Sequence, residues 1–142
     1  MKKIIALLIS VIIIVIMFFV LPTNKESTDS GVWKSAVYTE DTELGTGSKV
    51  VKVKVAAEEK EVTFTICTEK DTLADALFEH GLISGEEGAY GLYVKVVNGI
   101  GADYDVDKAY WSLTKNGEYM ETGVSGVHIE DGDCYELTRT KQ

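Results

Sequence analysis

Alternating apolar residues, broken by tight-turn dipeptides, constrain the fold of this chain more than any other feature of its sequence. Within residues 94–141, short period-2 apolar runs are separated by Asn-Gly or Asp-Gly pairs at 98–99, 116–117 and 131–132. Alternation of this kind predicts β-strands with one buried face, and the dipeptides predict tight turns between them. The second half of the chain is therefore expected to form a small sheet.

Two further strands and one helix are predicted before that sheet. Valines alternate with lysines over 49–55, and apolar and polar residues alternate again over 61–68, which predicts a β-hairpin. Thr72 is placed to cap a short helix that ends near His80, with Gly81 at the left-handed position after it. Two strands, a helix and about three more strands predict an α+β fold, a β-grasp-like mixed sheet of about five strands with one helix.

The N-terminus carries a membrane signal. Lys2 and Lys3 precede an apolar run of 18 residues at 4–21, which Pro22 ends. As a helix the run would be about 27 Å long, just enough to cross the hydrocarbon core of a bilayer. We therefore predict that 1–22 is a transmembrane helix that anchors the chain in the cell membrane with the rest outside. A cleaved signal segment, which would release a secreted protein, is the alternative.

A linker is predicted between this anchor and the folded domain. Residues 23–31 are small and polar, and 45–48 resemble a second flexible joint, so 23–48 is predicted to be a flexible extracellular linker. The β-grasp-like domain then occupies 49–142. Three apolar residues of the linker are expected to pack on that domain already: Trp33, Val37 and Tyr38.

The charge of the chain excludes one class of partner. The formal net charge is −9, and it becomes −11 when Lys2 and Lys3 are set aside. A surface this acidic repels phosphate backbones, so we expect no nucleic acid partner.

No catalytic constellation can be assembled from the sequence. It contains no Gly-x-Ser-x-Gly elbow, no His-Glu-x-x-His and no phosphate-binding Gly-rich loop. His80 is expected to lie at a helix end, where a capping role explains it, and His128 on the exposed side of a strand. We therefore predict a protein that is not an enzyme and has no catalytic residues.

A metal site is not predicted either. Residues 103–107 place acids at alternate positions, like the start of a calcium loop, but Lys108 replaces the required Gly and Thr114 the bidentate Glu. Cys67 and Cys134 lack zinc-ligand spacing. Their strands are expected to be separated by the first strand, with the second strand at the sheet edge, which puts their Cα atoms about 9 to 10 Å apart. Two free thiols are predicted, and a disulfide stays open as the alternative.

Several sequence pieces together resemble a known family over about residues 50–140. They are Thr72-Leu73, Ala76-Leu77, Asn98-Gly99-Ile100, Tyr110-Trp111-Ser112-Leu113, Gly123-Val124 and Asp131-Gly132-Asp133. The ensemble resembles the C-terminal β domain of the vitamin B12 carriers transcobalamin and intrinsic factor.

This resemblance implies that the ligand is a corrinoid such as cobalamin. It also implies that one strand and the loop after it face the ligand: Trp111, Ser112, Leu113, Asn116, Gly117 and Tyr119. For Trp111 the pattern itself favours burial, because Leu113 at i+2 shares its face.

Two functions follow as hypotheses. In the first, the chain is a membrane-tethered extracellular module that binds a corrinoid or another small ligand and presents it to a transporter or second surface protein. In the second, it is a structural or protein-interaction module of the cell surface without a small ligand. An exposed cleft with aromatic residues would favour the first, and an unpaired edge strand with buried aromatic residues would favour the second.

Overall fold

Nine strands and two short α-helices form the part of the chain that the computed structural model describes, residues 31–89 and 91–142. The elements are a 3-10 helix (Gly31–Ser35), β1 (Thr42–Leu44), β2 (Lys49–Ala57), β3 (Lys60–Thr68), α1 (Leu73–Glu79), β4 (Ile83–Gly88), β5 (Gly91–Val97), β6 (Ile100–Gly101), α2 (Tyr104–Asp107), β7 (Ala109–Lys115), β8 (Glu118–Tyr119), a 3-10 turn (Val124–Gly126) and β9 (Cys134–Lys141).

The predicted membrane anchor lies outside the residues that the structure describes. No helix within 31–89 and 91–142 is long and apolar enough to cross a membrane. Residues 1–22, and 23–30 of the predicted linker, lie outside the described part of the chain.

The strands form two sheets. Six strands lie in the order β1-β3-β2-β9-β7-β8, and three lie in the order β4-β5-β6. β2 and β3 make the predicted antiparallel hairpin, and β9 pairs in parallel with β2. The prediction of a mixed α+β fold is confirmed, but about five strands and one helix were too few, since the described residues form nine strands and two α-helices. The strands that were missed are short or poorly alternating, so they carry little period-2 signal.

One face of the six-stranded sheet forms the core. Val51, Val53 and Val55 on β2 and Phe64 and Ile66 on β3 are almost completely buried. Each side chain of this kind contributes roughly 1.5–3 kcal/mol when it leaves water. Residues at the alternate positions, lysines on β2 and threonines on β3, lie on the opposite face. We call that opposite face the open face of the sheet.

The helix α1 has the ends that the sequence predicts. Thr72 is extended, with φ −115°, and its Oγ1 accepts a hydrogen bond of 3.2 Å from the Asp75 amide. His80 is the C-cap, and Gly81 has the left-handed φ of +65°. A helix of this length is marginal in isolation, so burial of one face must hold it in place. Its buried residues are Leu73, Ala74, Ala76 and Leu77.

The described part of the predicted linker packs on the sheet. Trp33 is 3% exposed, and its Nε1 donates to the Ala57 carbonyl at 2.9 Å. β1 pairs in parallel with β3, with Leu44 opposite Ile66. β3 is therefore internal, and the expectation that the second strand of the hairpin lies at the sheet edge was wrong because β1 covers it.

The glycines of the predicted second joint serve close approach. A Cβ atom at Gly45 would collide with the backbone oxygen of Cys67, and one at Gly47 with the backbone of Thr68. The chain between β1 and β2 therefore passes against the end of β3, where only glycine fits.

Hydrogen bonds of Asn98, in the β5–β6 turn, hold the N-terminal segment at Val37 and Tyr38. Its side chain is fully buried, accepts a hydrogen bond from the Tyr38 amide at 2.9 Å and donates to the Tyr38 carbonyl at 2.8 Å. Its own carbonyl accepts from the Val37 amide at 3.0 Å. An asparagine side chain thus takes the place of a neighbouring strand for this segment.

Both cysteines are free thiols, which agrees with the sequence prediction. β2 lies between the strands that carry Cys67 and Cys134. Their partners on β2 differ as well, since Cys67 pairs with Val50 and Cys134 with Lys52.

We predict that Trp33→Ala lowers the free energy of unfolding by about 3–5 kcal/mol, because it leaves a cavity and an unpaired Ala57 carbonyl. Urea unfolding of the full chain in detergent, followed by circular dichroism, measures this loss. Val37→Ala is the control from the same segment. Since Val37 is 65% exposed, its truncation should cost less than about 0.5 kcal/mol. A loss below about 0.5 kcal/mol for Trp33→Ala as well would show that Trp33 does not stabilise the fold.

Asn98→Ala should cost about 2–4 kcal/mol, since it leaves the Tyr38 amide and carbonyl without partners and puts alanine at a φ of +52°. Asn116→Ala separates the loss of the side-chain hydrogen bonds from the backbone strain. Asn116 has nearly the same φ, +51°, but is exposed, so its replacement should cost only about 1–2 kcal/mol of backbone strain. Comparable losses in urea unfolding would contradict a role for the Asn98 side chain.

Candidate functional site

An open cleft of about 360 Å³ crosses four strands of the six-stranded sheet. It lies on the open face, away from α1, and a cleft of this size is at the lower end of those that hold small molecules. Its lining residues are Lys52, Lys54, Thr63, Thr114, Asn116, Gly117, Cys134, Tyr135 and Glu136.

Strand register brings these residues together. Lys54 pairs with Thr63 on β3 and with Glu136 on β9, and Glu136 pairs with Thr114 on β7. Directly opposite residues project to the same side of a sheet. The cleft therefore has a floor of one lysine, one glutamate and two threonines in a row, all hydrogen-bonding groups.

The β7–β8 turn borders one end of the cleft. Asn116 and Gly117 have φ values of +51° and +83°, the two left-handed residues that a type I′ hairpin turn requires. The Asn116 amide donates to the Cys134 carbonyl at 3.1 Å. This hydrogen bond fixes the turn against the start of β9.

An ionic cluster supports the same end of the cleft. Asp133, whose side chain is 14% exposed, accepts from Tyr135 Oη at 2.7 Å and from the Glu130 amide at 2.9 Å. Lys115 Nζ lies 3.5 Å from the same carboxylate oxygen, Oδ2. Burial by itself raises the pKa of Asp133, but these hydrogen bonds and the lysine charge outweigh it and lower the pKa. Burial and the neighbouring carboxylate raise the pKa of Tyr135.

A second cleft of about 480 Å³ adjoins the first on the open face. It is lined by Asp41, Thr42, Glu43, Lys52, Thr63 and Thr65. Lys52 and Thr63 belong to both clefts, so the two form one polar trough across β1, β3, β2, β9 and β7.

The residues predicted to face a ligand are distributed over both faces of the sheet. Asn116 and Gly117 line the cleft. Tyr119 pairs with Thr114, a cleft residue, so it lies on the open face beside the cleft and is 68% exposed. Ser112 shares that face, but its hydroxyl contacts the Thr138 carbonyl at 3.2 Å.

The other two predicted residues lie on the opposite side of β7. Leu113 is buried, and Trp111 is half-buried against the core. Trp111 Nε1 is buried and has no hydrogen-bond partner in the described part of the chain, which costs about 1–3 kcal/mol. Trp111 and Leu113 therefore support the cleft from behind.

Most residues of the cleft floor were not predicted from the sequence. Lys52 and Lys54 appeared only as the polar half of an alternating strand, and Glu136 in the same way. The one available signal was this polar period-2 pattern. It becomes informative only when the register is known, which sets Lys54 beside Thr63 on β3 and Glu136 on β9.

The described residues contain no group of three or more His, Cys, Asp or Glu side chains that could hold a metal ion. The acidic run at 103–107 is helix α2, whose N-cap Asp103 accepts from the Asp105 amide at 3.0 Å. Asp107 pairs with Arg139 at 3.3 Å.

The lowered pKa of Asp133 predicts a pH dependence. A carboxylate whose pKa is lower in the folded state adds stability above its unfolded pKa of about 4, and that stability is lost as pH falls through the folded value. Guanidinium unfolding between pH 7 and pH 2.5 should therefore show a smaller loss for Asp133→Asn than for the wild type below about pH 4. Glu118→Gln, which removes an exposed carboxylate near the same turn, is the control. Identical slopes for wild type and Asp133→Asn would contradict the prediction.

A family model described as a domain of unknown function (DUF4430) matches residues 70–138, from the loop before α1 into β9. Comparison with curated proteins gives no match. Among solved structures, one described as "a putative metal binding protein from Ruminococcus gnavus ATCC 29149" is 32% identical, with a TM-score of 0.64, and the match covers 67% of this chain and 99% of that one.

Haptocorrin in complex with Cbi is also similar in structure. It is 20% identical, with a TM-score of 0.53, over 69% of this chain and 26% of the haptocorrin chain. At this identity the likeness is one of fold, and it concerns about a quarter of haptocorrin. The resemblance to the transcobalamin family that the sequence predicts is therefore supported at the level of the fold. Because it is 32% identical to the Ruminococcus gnavus protein over 99% of that protein's length, the chain belongs to the same family as that protein.

Proposed function

We propose that this chain is an extracellular binding module with a β-grasp-like domain, tethered to the membrane by its N-terminal segment, that binds a corrinoid. Its role in this proposal is to bind and present the ligand, and it catalyses no reaction. The observation that carries the proposal is the cleft on the open face, which the predicted Asn116–Gly117 turn borders and Tyr119 flanks.

The chemistry of the cleft suits the rim of a corrinoid. A corrin ring carries amide side chains on its edge, and each amide both donates and accepts hydrogen bonds. Lysine, threonine and asparagine side chains supply donors, and Glu136 supplies acceptors. Tyr119 adds an exposed aromatic ring against which the apolar ring edge can pack. The structural likeness to haptocorrin in complex with Cbi is consistent with this ligand class.

The size of the cleft limits what the domain binds alone. A corrinoid is larger than a cleft of about 360 Å³, so this domain would contact one edge and leave the rest in solvent or against another protein. Pockets that bind small molecules tightly cover most of the ligand surface. We therefore include a second protein, such as a transporter or another surface protein, as the recipient of the ligand.

The position of the tether suits presentation. Gly31 lies against the Glu58 side chain, in the β2–β3 turn. The Asn116–Gly117 turn lies beside the start of β9, which is parallel to β2, and so at the other end of the strands. If the apolar run at 4–21 anchors the chain, the turn that borders the cleft points away from the membrane.

Calorimetric titration of the full chain in detergent with cobinamide and cobalamin tests the proposal. We expect saturable heat, and about a tenfold weaker affinity in Tyr119→Ala and in Asn116→Ala, since each removes a contact at the cleft. Val106→Ala is the matched control, because Val106 is 78% exposed on α2 and does not line the cleft. Both cleft variants must show the wild-type circular dichroism spectrum.

The absence of heat at high micromolar corrinoid would overturn this function and leave a protein partner as the second candidate. One observation favours that candidate. Among the strands of the described ranges, β4 is a six-residue edge strand that pairs only with β5, and it is exposed from Ser84 to Gly88. An extended peptide could pair with such an edge, although Glu86 and Glu87 also protect it against unspecific pairing.

A further inference from the structure

Lys52 is the charged residue that the two clefts share. It lies in the middle of β2 on the open face, and its side chain is exposed. Its ammonium group has no hydrogen-bond or ion-pair partner within residues 31–89 and 91–142. The chain has a net charge of −9, and this cation without a partner among the described residues lies at the centre of the trough, where a ligand would contact it.

The immediate neighbours of Lys52 do not neutralise it. Across the strands it pairs with Thr65 on β3 and with Cys134 on β9, and neither residue brings a carboxylate. Carboxylates occur at the two sides of the trough instead, Glu43 in the second cleft and Glu136 in the first.

The remaining charged groups of the trough have partners of their own. Lys54 Nζ lies 3.8 Å from Glu61 Oε1. Asp41 accepts a hydrogen bond of 2.8 Å from the Thr63 amide. As far as the described residues show, Lys52 is therefore the cation of the trough that is available to a ligand.

We propose that Lys52 binds a singly charged anionic group of the ligand, and that this group is the phosphodiester of a complete corrinoid. The inference rests on the proposed function and extends it to ligand selectivity. The amide arms of a corrinoid are neutral, and the phosphodiester of its nucleotide loop is the anionic group at its periphery. Cobinamide lacks the nucleotide loop, so the cleft would distinguish cobalamin from cobinamide.

The flanking carboxylates suit a single charge. An ammonium group forms strong, charge-assisted hydrogen bonds with phosphate oxygens. Glu43 and Glu136 on either side would repel a group with two negative charges more strongly than a phosphodiester with one. The pattern of one cation between two acids therefore selects a monoanion.

Titration of cobalamin and cobinamide into the full chain in detergent, by calorimetry at low salt, tests this inference. We expect the wild type to bind cobalamin about fivefold more tightly, the value of one screened surface ion pair. Lys52→Gln should weaken cobalamin binding about fivefold and leave cobinamide binding unchanged, and Lys52→Arg should restore the preference. Added NaCl should reduce the preference in the wild type.

Lys34→Gln is the control for the change in overall charge. Lys34 is exposed in the N-terminal 3-10 helix, which packs at the β2–β3 end of the sheet, so this variant should keep the wild-type preference. Equal affinity of the wild type for both corrinoids, or an equal loss of both in Lys52→Gln, would overturn the role of Lys52 and leave corrinoid binding intact. Failure of both corrinoids to bind would overturn the proposed function and, with it, this inference.

Discussion

The parallel pairing of β2, the first strand of the hairpin, with β9, the last strand of the chain, determines both the core and the cleft. It starts where the Lys52 amide donates to the Asp133 carbonyl at 2.9 Å and the Gly132 amide to the Val50 carbonyl at 2.8 Å. On one face the pairing aligns Val53 with Tyr135 and buries both. On the other it aligns Lys54 with Glu136 and forms the floor of the cleft.

The N-terminal segment completes this sheet. Trp33 fills a core position, and β1 covers the edge that β3 would otherwise expose. The Asn98 side chain forms hydrogen bonds with both the amide and the carbonyl of Tyr38. A polar side chain with two backbone hydrogen bonds is favourable inside a protein only when every polar group is satisfied, as at Asn98. The same contacts determine where the chain leaves the sheet, beside Glu58.

The charges in the trough differ from those of the strongly acidic surface around it. The chain is strongly acidic, which favours solubility and disfavours anionic partners in general. Lys54 of the trough pairs with Glu61 beside it, and the carboxylates of Glu43 and Glu136 lie on the two sides of Lys52. Within residues 31–89 and 91–142, Lys52 is the cation of the trough that has no ion-pair partner, and its screening by solvent explains why we expect it to contribute selectivity more than affinity.

The sequence by itself determined the elements with strong local signals. Period-2 alternation predicted β2 and β3, capping predicted α1, and the Asn-Gly pairs predicted the turns at 98–99 and 116–117. Local signals could not predict the short strands β1 and β8, whose few residues are stabilised by neighbours far along the chain. For the site, the Asn116–Gly117 turn was predictable, whereas Lys52, Lys54 and Glu136 were not. The order in which β2 lies between β3 and β9 was predicted, but only the tertiary structure decided the register that sets Lys54 beside Thr63 and Glu136, because register is set by burial of the opposite face and not by the residues that line the cleft.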